Sequence, residues 1–287
     1  MPEAMIQWPQ DAANGGEFQE CNKLILTWHS LLIGAFAAID GLNVSLQTSQ
    51  DEYIENATYN SWLAEHFISS VLVFLPKGQS PPSSHVFVYF SLSCLFTGII
   101  IAAVINAPGS WHDSRVARPI YEKLCTQTSE GYYLIADTAF PWGMAAIEGQ
   151  ICAPLKAGQN VRGTEAQIEV QLGFDRELLS YQQTAEWGNC ALQGAFGCLW
   201  IPLQVKNAEQ RGNLLEICNQ LHNLCTWQVG INQIWTVYMD CWQGNAVDHE
   251  IWNHFENMLF SDQCKNDRVS HFPTYAEYLP QYGKANK

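Results

Sequence analysis

The sequence predicts an α/β protein. Two observations carry this reading. Short apolar runs, rich in small and β-branched residues, end in turn residues or on a carboxylate in the first half of the chain. Longer stretches of helical period follow in the second half. Strands followed by helices around a mixed sheet make the α/β class. At 287 residues, 47% of them apolar, the chain is long enough for a sizeable core in one large domain or two small ones.

Residues 17–32 are predicted as an amphipathic helix. GAFAAID (34–40) reads as a small apolar strand ending on a carboxylate. EHFISSVLVFLPKG (65–78) reads as a second strand, leading into a turn at Pro76-Lys77-Gly78. GIIIAAVINAPG (98–109) is β-branched and ends in turn residues, so it is a third strand. SRVARPIYEKLCTQ (114–127) is predicted as a helix with Pro119 near its first turn. GYYLIADTAFP (131–141) is another buried strand ending on a carboxylate, and 177–197 and 207–227 are long helices. The organisation predicted is a helical lead-in over 1–33, a domain over 34–240 and a tail over 241–287.

The balance is acidic, with 14 Lys+Arg against 28 Asp+Glu. A field of that sign repels phosphate backbones, so composition alone argues against a nucleic-acid binder. The N-terminus has no basic segment followed by an apolar run, so no signal peptide is expected. Ten cysteines without a Cys-x-x-Cys pair read as reduced, mostly buried thiols. Cys218, His222 and Cys225 share one helix face. Zinc could use that face, but no fourth ligand is evident, and core packing is the better reading.

Asp40 and Asp137 each follow a short apolar strand, and such positions sit at the sheet rim, where open α/β folds bind ligands. Glu186, on a helix packed over that edge, supplies a third carboxylate. Three carboxylates so placed would hold one or two Mg²⁺ or Mn²⁺ ions, hard cations that prefer oxygen. Two such ions about 4 Å apart activate a water or hydroxyl and stabilise a leaving oxygen in phosphodiester cleavage. The bland alternative is that each Asp is only a turn residue.

The words around these acids narrow the choice. IDGLN (39–43), PGSWHDSR (108–115), YLIADTAFP (133–141), LLSYQQTAEWGNCALQGAFG (178–197) and LLEICNQLHN (214–223) occur in this order. Together they resemble the nuclease domain of Harbinger/PIF-type transposases, the DDE superfamily endonucleases, and especially the fungal copies. The resemblance runs from about Phe18 to about Trp242. It implies an RNase H-like fold, a mixed five-stranded sheet flanked by helices, and a nuclear enzyme that cuts and joins DNA using a divalent metal. Carried over by motif, the catalytic and metal-binding carboxylates are Asp40, Asp137 and Glu186. His112 and Asp113 match the family's HDS signature and are expected to shape the site. Asp113 is alternatively the N-cap of the next helix. His222 and Asn223 are expected to be structural.

Three departures bear on activity. The helical DNA-binding region usual in this family is not evident before Asp40, so target recognition is expected to be missing or supplied by a separate partner protein. Arginine is expected at seven positions that hold Gln182, Cys190, Cys198, Trp200, Cys225, Trp227 and Trp235. Single transitions turn Arg CGN codons into Gln, Cys and Trp codons, which points to a decayed copy. Each lost Arg removes a possible phosphate contact of about 1.5–3 kcal/mol. Finally, residues 79–98 separate two strands that the family joins by a tight turn. Their T-rich codon character and Phe-Thr-Gly end suggest a translated intron. Two other classes stay open: a single-pass membrane protein through the apolar run 86–105, and a domesticated interaction protein without chemistry.

Overall fold

A computed structural model describes residues 6–10, 16–61, 63–76, 98–140, 147–156, 159 and 161–229. By its contacts the chain divides into Met1–Asp240 and Cys241–Lys287, and all described residues belong to the first unit.

Helix α1 (Gly16–Leu26) leads into the central strand β1 (Ala35–Ser45). The helix is shorter than the predicted 17–32. Asn22 is one reason the chain turns back: its Nδ2 donates to the carbonyls of Leu32 and Ala35, at 3.0 and 2.7 Å. Helix α2 (Glu52–Thr58), not foreseen, is capped by Asp51, whose Oδ1 accepts from Tyr53 N at 2.9 Å. It runs into the two-residue strand β2 (Tyr59–Asn60), which pairs with the long strand β3 (Glu65–Leu75). β4 (Ile99–Pro108) returns antiparallel to β3.

The predicted helix over 114–127 is split. α3 (Asp113–Val116) and α4 (Arg118–Gln127) meet at Ala117. Pro119 follows at once and has no N–H to continue the first helix. β5 (Tyr133–Ile135) and the unforeseen β6 (Ile151–Cys152) complete the sheet. α5 (Glu165–Ala195) starts twelve residues before the predicted 177. Its start is marked by Gln167, whose Oε1 accepts from Thr164 N at 2.9 Å, one arm of a capping box. A 3-10 turn at Gly197–Trp200 leads to α6 (Ala208–Val229).

β4, β3 and β1 are antiparallel neighbours, and β5 and β6 continue from β1 in parallel. This is the RNase H-like mixed sheet flanked by helices. β3 is buried from Phe67 to Leu75, and its side chains alternate between two cores. Val71, Val73 and Leu75 face the layer that holds Phe18, Ile120 and Leu124. Leu72 and Phe74 face the layer that holds Tyr181, Leu192 and Leu215.

The run 86–105 is not a spanning helix, because Ile99–Ile105 is strand, with Ile100 and Ile101 buried in the sheet. No described helix is long and apolar enough to cross a membrane. The strands that bracket the expected insert are hairpin partners, with Leu75 opposite Ile99. Residues 79–97 of that insert, and the tail 241–287, lie outside the described residues.

α6 closes the free edge of β4. Asn223 Oδ1 accepts from Ile100 N at 2.8 Å and its Nδ2 donates to Ile100 O at 2.7 Å, as a neighbouring strand would. His222 Nε2 lies 3.1 Å from Gly98 O, and burial lowers the pKa of the ring. Cys218 is buried in the core. Among the described residues no three His, Cys, Asp or Glu side chains could hold a metal ion, so the zinc reading of Cys218, His222 and Cys225 fails and packing stands.

Candidate active site

Asp40 is not at a strand end. It lies in the middle of β1, opposite Leu72 of β3. The strand continues because Leu42 and Val44 go on burying alternate side chains. Asp40 sits where β1 stops being buried on both faces. Its Oδ1 accepts from Gly41 N at 2.8 Å, and its Oδ2 accepts from Asn189 Nδ2 at 2.9 Å.

Asp137 follows β5 by two residues, so the expected placement after a strand holds there. β5 is the parallel neighbour of β1, with Ala38 paired to Ile135. The Asp137 carboxylate accepts from Ala139 N at 2.8 Å, closing the turn. Glu186 is half-buried on α5, and the charges of both Glu186 and Asp137 reach Asp40.

The chemistry shows in the protonation of these groups. Burial, and then the charges of Asp137 and Glu186, push the Asp40 carboxyl up to about 7. The hydrogen bonds from Gly41 and Asn189 work against that rise. The Asp137 carboxyl is also raised, chiefly by burial.

Asp113 is a fourth carboxylate of this centre. Burial, and then the charge of Asp137, raise it above the ordinary carboxylate range. Its oxygen lies over Gly41, only 2.8 Å from where a Cβ would stand, so any side chain after Asp40 would have to displace the Asp113 carboxylate. The N-cap alternative for Asp113 is corrected. His112 is the N-cap of α3: its Nδ1 accepts from Ser114 N at 3.3 Å. The charge of His112 lowers the pKa of both Asp113 and Asp137.

The four acids therefore face one another without closing on one point, since no three among the described residues stand close enough to ligate one ion. No Lys or Arg among the described residues pairs with Asp40, Asp113 or Asp137. Asn189 was missed in the sequence, although its spacing of three from Glu186 puts it on the same helix face.

Of the other positions where arginine was expected, Cys190, Cys198, Cys225 and Trp200 are exposed, Trp200 at 66%. Gln182 is buried, and Trp227 packs against the core. Trp235 lies outside the described residues.

A family model for DDE superfamily endonucleases matches residues 39–223, from the residue before Asp40 to the Asn223 that pins β4. No curated protein and no solved structure shows a significant match. The matched stretch covers well over half the chain and includes Asp40, Asp113, Asp137 and Glu186, so the chain belongs to the DDE superfamily endonucleases.

Proposed function

We propose that the chain is a transposase-derived nuclease domain of the Harbinger/PIF type, from a fungal copy, that cleaves DNA phosphodiester bonds with a divalent ion, Mg²⁺ or Mn²⁺. The observation that carries this reading is the charge of Asp137 and Glu186 on the carboxyl of Asp40, and of Asp137 on Asp113. Among the described residues no Lys or Arg pairs with Asp40, Asp113 or Asp137, and half-buried carboxylates in one another's field suit a hard cation by donor chemistry.

Asp40 on β1, Asp137 just past the parallel neighbour β5, and Glu186 from α5 would hold the ion. The ion would supply the positive charge that activates the attacking oxygen and stabilises the leaving one. The chain's own part is orientation. Gly41 N and Asn189 Nδ2 each fix one oxygen of Asp40, and Ala139 N fixes one of Asp137. Such outer hydrogen bonds hold ligands in position.

The acidic net charge of −14 favours a separate DNA-binding protein as the source of target recognition. The nucleus as the place of work follows from the transposase resemblance alone. A second reading is a decayed, weak or silent copy. It is supported by the exposed Trp200 and the exposed thiols of Cys190, Cys198 and Cys225 where the family resemblance implies arginine.

The test is nicking of supercoiled plasmid with Mn²⁺, using Asp137→Asn as the control. Nicking by the natural chain that disappears in the variant supports a nuclease. Equal residual nicking in both would mean a contaminant and remove the support. Absence of nicking in a folded chain that still binds Mn²⁺ favours the decayed copy.

A further inference from the structure

The stretch Trp111–Arg115 does more than deliver Asp113. Its backbone is pinned on several sides. Ser110 N donates to Ala57 O at 3.2 Å, Asn60 Nδ2 donates to Gly109 O at 2.9 Å, and Trp111 N donates to Pro108 O at 2.9 Å. Gly109 itself packs so closely on β3 that a Cβ would collide with the carbonyl oxygen of Phe67. Trp111 is partly buried against the core. On its ring lies the exposed Arg115, its guanidinium carbon 3.8 Å from the ring centroid.

His112 is equally defined. Its Nδ1 accepts from Ser114 N, so in the neutral ring the proton sits on Nε2. That nitrogen has no protein partner among the described residues, and the residue is exposed. The loop thus presents an N–H donor and a planar cation, both held in place, on either side of Asp113 in the chain.

We propose that Trp111–Arg115 is the phosphate-binding rim of the carboxylate centre: His112 Nε2–H and the Arg115 guanidinium grip backbone oxygens of the DNA strand that lies over Asp113 and Asp137. This rests on the nuclease reading. A chain of net charge −14 repels DNA at long range, so contact requires local, pre-positioned donors. A guanidinium stacked on an indole keeps its fork of donors outward and loses little freedom on binding phosphate. The nearest other cation along this stretch is Arg118, also exposed.

The test measures DNA binding and ion binding separately on the full chain. A fluorescein-labelled DNA duplex is titrated by anisotropy at several salt concentrations, with Ca²⁺ present, and Mn²⁺ affinity is measured by calorimetry. Arg115→Gln should weaken DNA binding about tenfold and flatten the slope of log K against log salt by about one. His112→Asn keeps an N-cap acceptor for Ser114 N but lacks the second ring nitrogen. It should weaken DNA binding roughly threefold, with an unchanged melting temperature. Both variants should bind Mn²⁺ within about twofold of the natural chain.

If both variants bind DNA with natural affinity and salt slope, the rim is wrong, while nicking by the natural chain would leave the nuclease reading intact. Mn²⁺ affinity that falls in step with DNA affinity also overturns it, because the residues would then act through the carboxylates. A natural chain that binds no duplex at low salt overturns it too, and the plasmid assay then decides whether nuclease chemistry survives.

Discussion

Asn189 Nδ2 donates to Asp40 Oδ2 at 2.9 Å and to the carbonyl of Gly41 at 3.2 Å. One amide on α5 thus grips both the carboxylate and the backbone of β1, three residues from Glu186. Asn189 is 6% exposed, and its own Oδ1 is buried without a hydrogen-bond partner. An unpaired buried carbonyl costs about 1–3 kcal/mol, so stability alone is a poor reason for an asparagine here.

Asn189→Leu should therefore separate stability from function. It removes two hydrogen bonds and one unpaired oxygen, and these effects oppose each other. We expect an unfolding free energy within about 1 kcal/mol of the natural chain and nicking reduced roughly tenfold. Urea unfolding and the plasmid assay check the two halves.

Stability should fall as pH rises. The folded Asp40 carboxyl titrates near 7, well above the ordinary value of 3.8, and Asp113 and Asp137 are raised as well. Between about pH 4 and 7 the folded chain binds more protons than the unfolded one. The stabilising protonated state is complete below the unfolded value and is lost as pH climbs through the folded one. The ion-free chain should thus melt at a higher temperature near pH 5 than near pH 8. Asp40→Asn should flatten that dependence, as thermal scans across pH will show.

Gly41→Ala should damage the site more than the fold. The new methyl would stand 2.8 Å from Asp113 Oδ2 and must push that carboxylate off its present position over Gly41. Asp113 is half-buried at the start of a four-residue helix, so it has room to give. The expected cost is about 1 kcal/mol of stability with at least a tenfold loss of Mn²⁺-dependent nicking. Chemical unfolding and initial nicking rates measure these.

Asn223→Leu should damage the fold. It leaves the N–H and C=O of Ile100 without the partners they now have at 2.8 and 2.7 Å, on the edge of the sheet. We expect a loss of about 3 kcal/mol, read from urea denaturation.

The parts of this fold that sequence reveals are those with a strong local signal. β3 and β4 carry long apolar runs, over residues 71–75 and 99–105. Asp40 was misplaced because GAFAAID looks like a complete strand. Leu42 and Val44 extend it through alternation that the intervening polar residues obscure. β6 has only two residues and depends on its pairing with β5, so no local pattern marks it. The N-terminal half of α5 is largely exposed and shows little periodicity. Asp113 was taken for a possible cap because Asp is a strong N-cap former. The choice of His112 instead is tertiary, since Gly41 leaves space that the Asp113 carboxylate fills. The family words named Asp40, Asp137 and Glu186 without reference to geometry, and the fold places the charges of Asp137 and Glu186 within reach of Asp40.

On the proposed reading, these carboxylates bind a divalent ion. Anomalous scattering from manganese, in crystals of the full chain grown with Mn²⁺, tests it most directly. A manganese peak in contact with both Asp40 and Asp137, absent from crystals of Asp137→Asn, is expected. A peak held by other residues, or no peak at saturating Mn²⁺, would contradict it.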